Sequence, residues 1–548
     1  MRIALAQINT KLADFKGNLQ KMLDLCLKAS QQGAEVIVFP ELAVSGYPPL
    51  DLLDQKHFVE SELKAIGSFK KNVPANLAVI FGYLDLNPSP TGKPFINTVA
   101  VIQNQEICFT QAKTLLPTYD VFDEARYFEP AVKRKAFCLK GKKIGIAICE
   151  DLWWEKEYNQ ALQYPIEPVR DLVKEGIEIL FAPSASPFFL NKPFLRKRLL
   201  QQISQQQKIA ICYVNMVGGN DGLIFDGQSM YFSPDGRLQA VGLAFAEDLV
   251  LVDSSAPVPA LEFKPDELEQ LTEALVLGIK DYIFKCGFSR VHVGLSGGID
   301  SALVAVLATL SLGKANVKAF GLPSRYSSAG SIADARELAY RLGISYEVIP
   351  IEDIYRAFLN TLTSPLQLQE LETTQENIQA RIRGSILMAY ANRYQSVLLN
   401  TGNKSELATG YCTLYGDMCG SLAVIGDLFK TQVYALARHI NQRYGFIPET
   451  ILSKAPTAEL KPNQTDQDTL PPYELLDAIL KDYLLDNLSF PELVAKGYPF
   501  AVVKQVLTMV ARAEYKRRQA PPVLKVSPRA FGMGRRMPIA RELFELKD

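Results

Sequence analysis

Short apolar runs alternate with longer amphipathic stretches through the first 250 residues. Arg2–Ile8 reads as a strand, Leu19–Gln32 carries helical periodicity that stops at Gly33, and Val36–Phe39 reads as a buried strand. The same pattern predicts strands at Val79–Tyr83, Thr98–Ile102, Ile144–Ile148, Ile179–Ala182 and Ile211–Val214. Strand–helix units mixed with adjacent strand pairs suggest a layered α/β sandwich. The pattern breaks at Val252–Asp266, where Pro257 and Pro259 flank a single valine and Pro265 follows. That composition predicts a stiff, exposed linker and a domain boundary, with domains at 1–252 and 267–548 and the linker at 253–266. Beyond it the periodicity restarts with a helix at Glu267–Cys286, then strand Val291–Leu295, helix Ser301–Leu312, strand Val317–Leu322, helix Ile332–Leu342, and strands Tyr346–Ile351 and Ser396–Asn400. This is the order of a doubly wound parallel sheet. Ala455–Pro472 is polar, proline-rich and without period, and a loop of that length inside a domain is usually functional or disordered.

Composition narrows the partners. The 548 residues balance 59 Lys+Arg against 59 Asp+Glu, so net charge gives no reason to expect nucleic acid or an anionic membrane. No apolar run approaches the ~18 residues of a membrane span, and the N-terminal run is too short for a signal peptide. A cytoplasmic protein is expected. The eight cysteines are scattered, without a C-x-x-C pair or neighbouring histidines, which suits reduced thiols rather than disulfides or zinc.

The strongest chemical signal is S-G-G-I-D-S at Ser296–Ser301, between an apolar strand and a helix. Gly297 and Gly298 let backbone N–H groups converge on an anion, and the helix N-terminus adds its positive end. Ser296 and Ser301 are expected to donate to phosphate oxygens. Asp300 would repel phosphate unless a cation stood between them, which makes it a natural Mg²⁺ ligand. T-G-N-K-S-E at Thr401–Glu406 follows another strand, on the side where doubly wound sheets bind ligands. Thr401 belongs to this ligand-facing set. Lys404 could hold a phosphate, and Glu406 could bind Mg²⁺ or a substrate hydroxyl. With G-D-L-F-K-T (Gly426–Thr431), Q-E-N-I-Q-A-R-I-R-G (Gln375–Gly384) and the basic tail Tyr515–Pro522 and Arg529–Ile539, these motifs resemble the NAD synthetases of the ATP pyrophosphatase group. The resemblance covers essentially the whole second half. It implies a sheet of the adenine nucleotide alpha hydrolase type, an ATP site at Ser296, Gly297, Gly298, Asp300, Ser301 and Thr401, and deamido-NAD contacts at Asn377, Glu406 and Lys516.

In the first half Glu41 lies in F-P-E-L, Lys113 in A-K-T-L-L-P-T-Y, and Cys149 ends I-G-I-A-I-C before Glu150 and Asp151. Each alone is ordinary, since a strand-end cysteine is more often packing than chemistry. In that order they resemble the nitrilase/amidase family over roughly residues 1–250. The resemblance implies a four-layer α-β-β-α sandwich in which Cys149 attacks an amide carbon, Glu41 is general base and Lys113 stabilises the oxyanion. It also implies glutamine contacts at Tyr119, Ser186 and Lys192, with Ser184 in the same run. Histidine usage agrees. Only His57, His292 and His439 occur, and position 2 is Arg2, so a Cys-His-Glu or an N-terminal-cysteine glutaminase finds no support.

The two halves joined resemble the glutamine-dependent members of the NAD synthetase family. What that implies is glutamine hydrolysis at one centre and ATP- and Mg²⁺-dependent amidation of deamido-NAD at the other, with small-molecule substrates, no nucleic acid or membrane partner, and a homo-oligomer. Two alternatives stay open: another carboxylate or carbonyl acceptor, and a first half that serves only as a scaffold.

Overall fold

In the first 250 residues, strands that are apolar on both faces form two sheets sandwiched between helices. The strands are β1 (Arg2–Gln7), β2 (Val36–Val38), β3 (Ala78–Leu86), β4 (Phe95–Gln103), β5 (Glu106–Ala112), β6 (Phe137–Leu139), β7 (Lys142–Ile146), β8 (Ile179–Ser184), β9 (Ala210–Asn215), β10 (Val217–Asn220), β11 (Leu223–Asp226), β12 (Met230–Phe232), β13 (Leu238–Val241) and β14 (Asp248–Asp253). One six-stranded sheet has the order β14-β1-β2-β3-β4-β5, the other β13-β12-β9-β8-β7-β6, and β10-β11 is a separate ribbon. Alternation within β1 shows how the layers arise. Ile3 and Leu5 join Ile146, Phe181 and Val214 in the core between the sheets. Ala4 and Ala6 face the other way, onto Met22 and Cys26 of helix α1 (Phe15–Gln31). Helix α2 (Lys56–Phe69) covers the same sheet through Ile66 and Phe69. On the second sheet, Val169 and Leu172 of α3 (Pro168–Lys174) and Leu199 and Ile203 of α4 (Lys192–Gln207) pack on Leu180, Ala182 and Ile211. The result is the expected α-β-β-α sandwich.

The computed structural model describes residues 1–154, 164–256, 259–369 and 372–543, and divides into Met1–Asp266 and Glu267–Asp548. The stretch expected to be an exposed linker starts inside β14, where Val252 is buried against the inter-sheet core. Further on, the Leu261 N–H donates to the Leu238 carbonyl at 2.8 Å, and the Phe263 ring meets Phe194 edge-on at 5.7 Å. One backbone hydrogen bond and one ring contact therefore hold part of the segment on the first unit. Pro257 and Val258 lie outside the described residues.

The second unit follows its predicted winding. Strands β15 (Val291–Gly294), β16 (Val317–Gly321), β17 (Ser345–Val348), β18 (Val397–Asn400) and β19 (Leu422–Ala423) form one parallel sheet in the order β17-β16-β15-β18-β19. The helices are α5 (Glu267–Lys285), α6 (Ile299–Leu312), α7 (Ala329–Leu342), α8 (Glu352–Leu366), α9 (Thr373–Tyr394), α10 (Lys404–Thr409) and α11 (Lys430–Tyr444), followed by shorter ones. Strand order reverses on either side of β15, so the loops after β15 and β18 open into one crevice. Among the described residues no helix is long and apolar enough to cross a membrane.

Candidate active sites

In the first unit, three strand ends bring the expected residues together. Glu41 follows β2 and is fully buried. The chain passes so close to Gly82 of β3 that a Cβ there would stand 2.7 Å from Glu41 Cα and 2.4 Å from Leu42 N, which only glycine permits. Lys113 follows β5 and donates from Nζ to Glu41 Oε1 (2.7 Å) and to Glu124 Oε1 (2.8 Å). Asn97 of β4 donates to the same Glu41 oxygen at 2.7 Å, and the Ala185 N–H donates to Glu41 Oε2 at 3.0 Å. Cys149 opens a short 3₁₀ turn, Cys149–Leu152, at φ +45°. Asp151 ties that turn to the strand and to the Lys113 loop by accepting from the N–H groups of Ile148 (3.0 Å), Thr114 (3.0 Å) and Leu115 (2.8 Å).

The electrostatics follow from burial. Loss of water, then Glu41, push the Cys149 thiol well above its usual range, while Lys113 and the Ala185 N–H pull the other way. Burial alone would lower the Lys113 ammonium, but Glu124 and Glu41 outweigh it and hold it charged. Two of the three Lys113 donors are used by carboxylates, leaving one for a substrate oxygen.

Around this centre, the Tyr119 hydroxyl donates to Glu150 (3.0 Å), as does Tyr164 (2.9 Å). The Lys192 ammonium lies 3.8 Å over the Trp153 ring and close enough to Glu150 to stabilise its charge. Burial nevertheless raises Glu150 to about 7. Ser186 is buried, and its N–H donates to Asn215 Oδ1 at 2.9 Å. The Ser184 hydroxyl is turned to the Ala182 carbonyl at 3.2 Å. Sequence reasoning gave no role to Glu124, Asn97 or Glu150. Glu150 stood in the quoted C-E-D run, whereas nothing local marks Glu124 or Asn97.

In the second unit, a cavity of about 320 Å³ opens at the ends of β15, β16 and β18, lined among others by Ser296, Gly298, Asp300, Thr401, Glu406 and Lys430. Gly297 takes φ +82°, and a Cβ on it would lie 2.3 Å from the Ser331 carbonyl oxygen, so the tight turn requires glycine. The loop braces itself. Ser301 Oγ donates to the Gly298 carbonyl (3.1 Å) and accepts the Ser296 N–H (3.2 Å). Ser301 is buried and shapes the loop while still lining the cavity, and Ser296 is the exposed hydroxyl.

Asp300 and Glu406 come together across the crevice. Asn403 caps α10 and donates from Nδ2 to Asp300 (3.0 Å), while its N–H donates to Glu406 Oε2 (3.1 Å). The Lys430 ammonium pairs with Asp300 and stands 3.8 Å from Glu406. Burial and then Asp300 raise Glu406 to about 8, with Lys430 opposing. Two close carboxylates held against one lysine suit a hard cation with phosphate oxygens completing the shell. Among the described residues no group of three or more His, Cys, Asp or Glu is placed to hold a metal. Lys430, quoted within G-D-L-F-K-T but given no role, is the lysine of the site.

Three expected contacts turn out otherwise occupied. Lys404, read as a phosphate ligand, is fully buried and bonded to Asp427, Ser527 and the Arg529 carbonyl. It lies two helical positions from Glu406, so the two side chains point to opposite sides of α10. Lys516 donates to the carbonyls of Gly410 and Cys412, both at 2.7 Å, and Asn377 accepts the Thr413 hydroxyl at 2.6 Å. Both brace residues 410–413, and neither is among the residues lining the cavity. The segment after Lys454 does line it, through Ala455–Leu460 and Asp466. Glu459 fastens it by accepting from Ser328 Oγ (2.9 Å), Ser331 Oγ (2.6 Å) and Lys454 Nζ (3.1 Å).

Comparison with known proteins agrees with this division. Residues 2–257 match the carbon-nitrogen hydrolase family, and residues 271–520 match the NAD synthase family. A relative from Synechocystis, named glutamine-dependent NAD(+) synthetase, is 43% identical over 98% of each chain. One of the same name from Thermotoga maritima is 40% identical over 100% of this chain and 99% of its own. The structure of a glutamine-dependent NAD+ synthetase from Acinetobacter baumannii in complex with ADP superposes with a TM-score of 0.76, at 35% identity and 98% coverage of both chains.

Proposed function

The chain belongs to the glutamine-dependent NAD(+) synthetases, and we propose that Cys149, Glu41 and Lys113 release ammonia from glutamine while the crevice around Ser296–Ser301 activates deamido-NAD with ATP. The observation that carries this reading is the pair of complete polar centres, one in each unit. They are a buried lysine between two carboxylates beside a thiol and two carboxylates joined to a phosphate-loop helix. The test is NAD formed from deamido-NAD and ATP with glutamine against ammonium as nitrogen donor. Both donors should serve, and failure of both would overturn the reading.

At the first centre Glu41 takes the Cys149 proton as Sγ attacks the carboxamide carbon. The free Lys113 donor meets the oxyanion, the proton passes to the leaving nitrogen, and water cleaves the thioester to glutamate. Glu124 holds Lys113 charged throughout. Glu150 suits the α-ammonium of glutamine, oriented by Tyr119 and Tyr164, and Lys192 suits its α-carboxylate, while Ser186, buried and bonded to Asn215, is assigned a supporting contact to glutamine. Because Glu150 must be ionised to bind a cation and is raised to about 7, KM for glutamine should fall as pH rises through about 7. Glu150→Gln should raise KM and flatten that dependence. Glutamine hydrolysis measured across this range with the wild type and the variant checks it, and a flat wild-type KM would remove Glu150 from the substrate site.

At the second centre the nicotinate carboxylate attacks the α-phosphorus of ATP, diphosphate leaves, and ammonia then displaces AMP from the acyl-adenylate. Asp300 and Glu406 would hold Mg²⁺, whose charge offsets that of the phosphates. Ser296, Gly298 and the α6 N-terminus cradle the phosphates, Thr401 and Lys430 stand beside them, and Asn403 fixes the spacing of the two carboxylates. Residues 455–472 act as a lid that keeps water from the adenylate. Their amides should gain hydrogen-exchange protection when ATP and deamido-NAD bind, and unchanged exchange would argue against a lid. The eight free cysteines suit the cytoplasm. Ile354, Phe358 and Leu366, exposed on α8, suit contact with a second copy in a homo-oligomer.

A further inference from the structure

Lys404 and Asp427 are both fully buried, and neither is among the residues lining the cavity. Lys404 uses all three donors, on Asp427 Oδ1 (2.7 Å), Ser527 Oγ (2.7 Å) and the Arg529 carbonyl (2.8 Å). The second Asp427 oxygen accepts the N–H groups of Val526 (2.8 Å) and Ser527 (2.6 Å), and Ser527 Oγ donates to Oδ1 at 2.8 Å. The chain reaches this knot along the sheet edge: the Ala423 N–H donates to the Pro522 carbonyl (2.8 Å), and the Leu524 N–H to the Ala423 carbonyl (3.3 Å). Three segments therefore meet at one ion pair: α10, which carries Glu406; the loop leading to Lys430, whose Leu428 carbonyl accepts the Lys404 N–H at 2.8 Å; and the C-terminal segment.

Helix α10 has only six residues. A helix that short has no orientation of its own, and takes the one its ends are held in. Its N-terminal turn holds Asn403 on Asp300 and Glu406 on the cavity, while Lys404 on the opposite side anchors it to the tail. We propose that Lys404, Asp427 and Ser527 are positioning residues for adenylation, by which the C-terminal segment sets where Asn403, Asp300 and Glu406 stand. The ion pair taken by itself is a poor source of stability, because buried pairs are often replaced by apolar side chains of similar volume without loss; the backbone groups it also holds are what tie the C-terminal segment to α10.

This inference rests on the synthetase reading above, and its test separates the two. In the full chain, the double variant Lys404→Met with Asp427→Leu exchanges the pair for apolar packing. Asp427→Leu also strips the Val526 and Ser527 N–H groups of their acceptor, so the unfolding temperature should fall by several degrees, while kcat for NAD formation from ammonium, measured well below that temperature, falls about tenfold or more and KM for ATP changes little. Ser527→Ala, which keeps the ion pair, should lower kcat several-fold at an unchanged unfolding temperature, and it decides the matter if the double variant does not fold. Wild-type kcat in either folded variant overturns the proposal, as does a loss of kcat that merely tracks a loss of stability. No NAD from either donor in the wild type would instead defeat the synthetase reading.

Discussion

Cys149→Ala should make no NAD from glutamine and should still make it from ammonium salt at raised pH, where more of the nitrogen is free ammonia. Without the sulfur no thioester forms, and loss of a covalent nucleophile typically costs roughly 10⁴-fold or more. The structure sharpens the expectation. Burial and Glu41 push the Cys149 thiol up, so the sulfur depends on Glu41 to take its proton, and without the sulfur that base has no thiol to activate. Alanine also leaves the Glu41–Lys113–Glu124 bonds in place, so the first unit should stay folded. Adenylation involves no thiolate and should proceed. Separate assays of glutamate released and NAD formed with each donor decide it. Loss of NAD from both donors in a folded variant would give the thiol a role beyond ammonia release, and retention of both would remove it as nucleophile.

Asp300→Asn should abolish synthesis from both donors, with a loss of about 10²–10³ in kcat, the scale for removing one electrostatic group from a charge-developing centre. The amide keeps the shape and a polar contact to Asn403, but it deprives Lys430 of its nearest counter-charge and leaves Glu406 as the sole carboxylate for a cation. Glutamine hydrolysis should persist, because every group of that centre lies in the other unit. Wild-type NAD formation with either donor would defeat the assignment. Ser296→Ala should impair both donors more mildly, since the Gly297 turn and the Ser301 brace remain.

Most elements were legible because their signals are local. Strand β15 shows in the valines of V-H-V and helix α6 in the apolar run Ala302–Ala308, on either side of S-G-G-I-D-S, and two glycines leave the turn between them few alternatives. Where reading failed, the deciding contact was distant in sequence. Strand β5 carries exposed residues at Glu106, Ile107 and Cys108 and so lacks a buried pattern; it is a strand because β4 pairs with it. The proline-rich stretch looked solvated, yet Leu261 and Phe263 find partners on β13 and α4.

The sites divide in the same way. Sequence alone singled out the residues to which the chemistry is assigned in our proposal: Glu41, Lys113 and Cys149 in one half, the phosphate loop with Asp300 and Glu406 in the other. Each sits in a motif of a few residues whose backbone geometry is local. Tertiary structure alone decided which charges face substrate. Lys404 and Lys430 are both lysines in quoted motifs, and nothing within either motif says which one reaches the crevice. Folding buries the first on Asp427, 23 residues away, and aims the second at Asp300, 130 residues away. It likewise sets Glu124 on Lys113. An ammonium leaves water only for a counter-charge, and that counter-charge is supplied by whichever strand end the sheet brings alongside.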